Sequence, residues 1–362
     1  MKKKKIVTRT LIILVAALFI YAYAIHPLVA NRHTTAAVDD IEKQKPVGPT
    51  FNADSAYRFC EEQCAFGPRT MNSQAHEQCR QWIVSKFRQY GLSVSQQQAT
   101  LTGYDGTPLH ATNIIASYKP EAPQRIIIAA HWDSRPWADN DPDEANWHKP
   151  VLAANDGASG VAVMIELARL LTTDSQQPTT DSQQPATDSQ QPAAASLPGI
   201  DFICFDAEDW GTPQWSDQQD DPQSWALGAQ YWARQAAAGS QQPTAMYGIL
   251  LDMVGGEGAH FYQEQFSKHY ASKIVRKIWK AADIAGKGSF FPKRDGGAVT
   301  DDHVPMNQVA NIPTVDIIAY HPDCPQSSFG PTWHTVNDTM EHIDRNTLAA
   351  VGQTLIQVIY SE

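Results

Sequence analysis

The stretch RIIIAAHWDS, residues 125–134, is an apolar, β-branched run that stops abruptly at an imidazole and a carboxylate. A continuous apolar run too short for a helix reads as a strand buried on both faces. Four more such runs occur at 112–117, 200–205, 247–253 and 314–319. Helical periodicity lies around them, at 73–90, 160–171, 225–237, 264–285 and 344–359. Asn72 or Ser73 can cap the first of these helices and Gly91 can end it. Strands alternating with helices predict an α/β fold: a three-layer α/β/α sandwich around a central, mostly parallel mixed sheet. Sheets of that kind bind ligands beyond the carboxyl ends of their strands.

That rule directs attention to the residues just past each strand. His131-Trp132-Asp133 succeeds the run at 125–130, and Asp206-Ala207-Glu208-Asp209-Trp210 succeeds the run at 200–205. Asp252 stands at the end of 247–253, and the loop after 314–319 ends in Trp333-His334. Asn155-Asp156-Gly157 opens the helix at 160. Any one of these acids taken alone can be a helix cap. Together they bring carboxylates and imidazoles to one edge of the sheet. Asp and His ligands without Cys suit Zn²⁺ or a divalent ion of similar hardness. The chain carries no G-x-S-x-G elbow, no H-E-x-x-H and no Walker or dinucleotide glycine pattern, which removes the commonest competing enzymes.

The charge balance points to the same place. Among 362 residues, 28 Lys+Arg face 39 Asp+Glu, a formal charge of −11. Residues 131–156 carry −4 of it and residues 201–221 carry −7, so the rest of the chain is balanced. The same two segments hold five of the ten Trp, which mixes acids with large aromatic rings. The acidic balance argues against nucleic acid as a partner. A 42% hydrophobic content supplies a core, and five Cys are too few for a disulfide scaffold. Asp139, Asp141, Asp143, Glu144, Asp217, Asp220 and Asp221 read as solvated loop acids around the mouth of the site. Such a rim would favour substrates with a free, positively charged N-terminus.

The first 30 residues read as a signal peptide or membrane anchor. Lys2, Lys3, Lys4, Lys5 and Arg9 precede an apolar run from Leu11 to Ile25. Ala22-Tyr23-Ala24 offers a cleavage site, whereas Tyr21 and Tyr23 could serve as interfacial anchors. Either way the catalytic domain faces outside the cytoplasm, in the periplasm or anchored to the inner membrane on that side. Membrane contact is expected only through this segment. Residues 31–50 read as a linker and 51–362 as the catalytic domain. Within it, TTDSQQP repeats from 172 and is followed by small residues to 196; this low-complexity loop insertion cannot bury an apolar face.

Six segments, IIIAAHWDS (126–134), ANDGASGVAVMIELARLL (154–171), FDAEDWG (205–211), LLDMVG (250–255), TDDHVPM (300–306) and TWHT (332–335), succeed one another in an order that resembles the animal-type glutaminyl cyclases and their bacterial relatives. That family belongs to the zinc aminopeptidase superfamily, and the resemblance covers roughly residues 52–360 apart from the insertion. It implies a zinc-aminopeptidase-like fold and one zinc per chain, held by Asp156, Asp209 and His334. Animal members have Glu where Asp209 stands, so this ligand is one methylene shorter. The resemblance also implies Glu208 as the general acid/base, hydrogen-bonded with Asp252 and with Asp301, favoured over the adjoining Asp302, and Trp215, Phe329 and Trp333 as the aromatic pocket wall. The activity implied is cyclisation of N-terminal Gln of exported peptides and proteins to pyroglutamate with release of ammonia. A monomer is expected.

The same residues admit another chemistry. In a two-zinc aminopeptidase of this superfamily His131, Asp156, Asp209, Asp252 and His334 would all be ligands, and Glu208 would activate a water. His131 is otherwise a hydrogen-bonded neighbour of the metal site. A degenerate peptide-binding module is a third reading, against which the intact Glu208 speaks. Trp132, Trp137 and Trp147 either pack the loop or line the pocket. Cys60 and Cys64, or either with Cys79, could pair in an oxidising compartment, while Cys204 within a strand reads as an inert buried thiol.

Overall fold

In the computed structural model, which describes residues 44–176, 197–217, 221–239 and 245–362, six strands form one sheet. They are β1 (Ser93–Thr102), β2 (Pro108–Tyr118), β3 (Arg125–His131), β4 (Gly199–Phe205), β5 (Gly248–Asp252) and β6 (Thr314–Ile318). Their spatial order is β1-β2-β4-β3-β5-β6. The β3–β4, β3–β5 and β5–β6 pairs are parallel, and β1 and β2 add an antiparallel edge. The expected mixed, mostly parallel sheet is therefore present.

Alternation along each strand sorts the core into two layers. Ile126, Ile128 and Ala130 face one cluster and Ile127 and Ala129 the other. Each fully buried isoleucine contributes roughly 1.5–3 kcal/mol. On the first face lie α1 (Ala53–Cys64), α2 (Gln74–Gln89), α3 (Ala158–Gln176), α5 (Gln265–Ile284) and α7 (Arg345–Ile359). On the second lie α4 (Leu227–Ala238) and α6 (His303–Gln308), which contribute Trp232 and Met306. The result is three layers, as expected.

Four elements depart from the sequence reading. β1 and the helices α1 and α6 have no counterpart in it, and α3 runs on through Gln176 into the first repeat. The remainder of the repeat lies outside the described residues. Ser73 caps α2, its hydroxyl accepting from the His76 amide. Val47 and Phe51 donate their amides to Gln357 and Gln353 of α7, so the folded unit starts by Val47, inside the segment read as linker. The expected targeting segment lies outside the described residues, among which no helix is long and apolar enough to cross a membrane. All five cysteine thiols are free, and Cys60 donates to the Ala154 carbonyl at 3.0 Å.

Candidate active site

The register of the three central strands assembles the site. His131 pairs with Phe205 across β3–β4, and Ala129 pairs with Leu250 across β3–β5. Two residues further on, His131 and Asp252 emerge side by side, with His131 Nε2 3.4 Å from Asp252 Oδ1. The chain leaving β4 brings Glu208 and Asp209 to the same edge. Asp156 arrives from the turn before α3 and His334 from the loop after β6.

The turn at Asp156 is fixed from several directions. Asp338 accepts the amides of both Asn155 and Asp156, at 2.7 and 3.0 Å. Asn155 accepts the Gly255 amide at 2.9 Å, and the Ser159 hydroxyl accepts that of Val254 at 3.0 Å. Gly157 has φ +94°, and a Cβ there would come within 2.9 Å of the Asp133 carbonyl and the His131 ring. Only glycine meets both demands. Asp133 performs the matching task across the site by accepting the amides of Glu208 and Asp209 at 3.1 and 3.2 Å. Ala207, Met253 and His334 all hold positive φ, which places backbone strain beside Glu208 and Asp252 and at His334 itself.

Single ligand atoms of Asp156, Asp209 and His334 lie within 4.8 Å of one another, and all three residues are buried. His334 Nε2 stands 3.3 Å from Asp209 Oδ1 and 3.6 Å from Asp156 Oδ2. Asp209 Oδ2 is buried without a hydrogen-bond partner, a costly state for a carboxylate that a cation relieves. Burial disfavours the charged His334 ring, yet Asp209 beside it pushes the imidazole up to about 9. The cluster thus draws positive charge, and two carboxylates with one imidazole fit zinc while leaving a fourth position open. His131, Asp156 and Asp252 form a second group of the same kind, with His131 Nε2 2.9 Å from Asp156 Oδ1.

Beside these groups opens a cavity of about 260 Å³. Asp156, Glu208, Asp252, Asp301 and His334 form its polar side. Trp225, Phe329, Trp333 and Met253 contribute apolar wall. Burial raises the Glu208 carboxyl well above its usual range; His131 opposes this, while Asp209, Asp301 and Asp302 add to it. Asp301 is pushed up to about 7 by burial and by Asp252. Asp302, whose place beside Asp301 leaves the choice of acid open in the sequence, is fully buried and does not line the cavity.

Eight of the nine site residues read from the sequence meet at this cavity or at the Asp156, Asp209 and His334 group beside it. Trp215 does not. It stacks instead with Trp147 at 6.1 Å and packs against Trp137 and His148. The tryptophan from this loop that lines the cavity is Trp225, whose ring lies parallel to that of His334 at 6.1 Å. Trp132, Trp137 and Trp147 also stay off the cavity, and Trp132 is fully buried against His76. Two acids read as solvated rim are buried as well. Asp139 is engaged by Arg135, and Asp141 accepts the Asp143 and Val336 amides. Asp133, Arg135, Asp139 and Asp338 escape the sequence reading as supports of the site. For Asp133 a signal exists, since it stands just past His131 at the same strand end.

Comparison with known proteins agrees with this geometry. The profile of Peptidase family M28 matches residues 113–359. The glutaminyl-peptide cyclotransferase of Bos taurus is 26% identical over 264 residues, 67% of this chain. The chain spans 64% of that relative's length. A crystal structure of Bacteroides thetaiotaomicron glutaminyl cyclase bound to N-acetylhistamine is 48% identical with a TM-score of 0.78, covering 87% of this chain and 99% of that one. A structure of a leucine aminopeptidase precursor from the same organism is 47% identical with a TM-score of 0.77, covering 88% and 99%.

Proposed function

The chain belongs to peptidase family M28, and on that premise we propose that it is a zinc-dependent glutaminyl-peptide cyclotransferase acting on N-terminal Gln. The observation that carries the reading is the aromatic-walled cavity in which a protonatable Glu208 adjoins the Asp156, Asp209 and His334 group. Likeness to the bovine cyclotransferase and the bacterial glutaminyl cyclase supports it. One zinc per chain, held by Asp156, Asp209 and His334, would supply Lewis acidity toward an amide carbonyl.

The protein's own groups account for the rest. Trp225, Phe329 and Trp333 hold the glutamine side chain folded back and keep bulk water away, so its α-amine meets the carbonyl carbon (Cδ) of its own side-chain amide. A C–N bond forms between them and the bond to the amide nitrogen breaks. Glu208 takes a proton from the attacking amine and returns it to the departing nitrogen, which leaves as ammonia. A raised pKa suits a group that must both accept and donate near neutrality. Asp252 and Asp301 line the same cavity, and Asp301 adds to the like-charge repulsion that keeps the proton on Glu208. His131 serves as a hydrogen-bond donor to Asp156 in this reading. Lys2 to Arg9 and the apolar run to Ile25 support an extracytoplasmic setting, with exported peptides and proteins as substrates.

The rival is a two-zinc aminopeptidase, for which the His131, Asp156 and Asp252 group is available. Ammonia release from Gln-initiated peptides, measured with zinc content on the same sample, separates the two. Ammonia with one zinc per chain is expected. Two zincs with release of free amino acids and no ammonia would overturn the proposal.

A further inference from the structure

Arg135 is 1% exposed, and none of the chemistry above uses it. Its Nε and Nη2 form a fork on the two oxygens of Asp139, at 3.0 and 2.7 Å. Its Nη1 donates to the carbonyls of Asp209 and Gly211, at 3.2 and 3.1 Å, and lies 3.4 Å from Asp209 Oδ1. The guanidinium carbon sits 4.6 Å from the centre of the Trp225 ring. Asp139 in turn places Oδ1 3.3 Å from Nδ1 of His334, on the side of the ring away from the metal-ligating nitrogen.

We infer that Arg135 is a positioning residue whose single guanidinium holds Asp209 and, through Asp139, His334 in ligating geometry while bracing the Trp225 wall of the substrate pocket. A histidine that binds metal through one nitrogen is oriented by a carboxylate at the other. Asp139 can do this only if its own plane is fixed, and the Arg135 fork fixes it with two parallel bonds. Trp225 rests on Gly211, where a Cβ would come within 2.0 Å of the ring. Arg135 holds that same residue by its carbonyl. Metal retention and substrate binding are therefore coupled through one side chain. Lysine would keep the charge and lose the fork, so at this site the exchange is not conservative.

The inference deepens the cyclase reading but rests on it only for its kinetic arm. Arg135→Lys and Asp139→Asn are compared with wild type for zinc affinity, by competition with a chelator, for thermal midpoint, and for KM and kcat at saturating zinc. Arg135→Lys should weaken zinc binding by about 10- to 100-fold and raise KM proportionally more than it lowers kcat. Asp139→Asn should weaken zinc binding similarly with a smaller effect on KM. An Arg135→Lys protein with wild-type zinc affinity and KM, whatever its thermal midpoint, overturns the inference. If that variant does not fold, unchanged zinc affinity in Asp139→Asn overturns it instead. A wild-type protein that binds zinc and releases no ammonia would sink the cyclase reading alone, because the zinc arm would still decide the role of Arg135.

Discussion

Glu208 owes its proposed role to its surroundings more than to its own chemistry. Burial and three neighbouring acids hold its proton against the pull of His131. Glu208→Gln keeps the shape and removes the proton exchange, so kcat/KM should fall by about 10²- to 10⁴-fold with zinc content and circular dichroism unchanged. Activity near wild type would exclude it as the acid/base. The pocket wall offers a second test at this scale. Trp225→Ala should raise KM for Gln peptides well above the wild-type value, whereas Trp215→Ala should leave it nearly unchanged; the reverse pattern would put the wall at Trp215. The family resemblance implies Trp215 for the wall, and the structure places a different tryptophan at the cavity for a physical reason. The Ala226 amide donates to the Glu208 carbonyl and the Leu227 amide to that of Ala207. These bonds fold the loop back and bring Trp225, not Trp215, beside the acid.

Among the elements, those that bury apolar faces are legible directly. The runs that form β3 to β6 and the periodic segments that form α2, α3, α4, α5 and α7 agree with the structure to within a few residues, apart from the extended end of α3. β1 is illegible because it is an edge strand whose residues, Gln96, Gln97 and Gln98 among them, carry no apolar alternation. α1 is hidden because its buried face includes Ser55, Cys60, Gln63 and Cys64 among few strong apolar residues. The start of α5 carries a testable feature. Glu264 caps that helix by accepting the Phe266 and Ser267 amides, accepts the Val299 amide as well, and lies 3.2 Å from His303 Nε2. Burial favours its neutral form, but His303 and the helix amides hold it down at about 2, below its ordinary 4.5. A depressed carboxyl stabilises the fold above its unfolded value and loses that contribution as pH falls through the folded one. The loss should reach about 3 kcal/mol between pH about 4.5 and about 2. Denaturant titrations across that window should show wild type losing more stability than Glu264→Gln. Equal losses would contradict the assignment.

At the scale of the molecule, the −11 charge marks where the site lies, but much of the surplus does not face solvent. Asp133 and Asp338 each tie down two consecutive backbone amides, and Asp139 sits between Arg135 and His334. Such acids fix loops contributed by distant parts of the chain, and for that reason the candidate ligands are visible in the sequence while Asp139 and Asp338 are not visible as supports. Strand ends announce candidate ligands, and Asp133 beside them, through position; the other supports declare themselves only when loops meet. The central claim, cyclisation rather than cleavage at this zinc site, is tested most directly by the mass of the product. A Gln-initiated peptide incubated with zinc-replete protein should become the same peptide lighter by one ammonia, and treatment of the protein with a chelator should stop the conversion. A product shortened by its first residue, with no ammonia-loss species, would contradict the account.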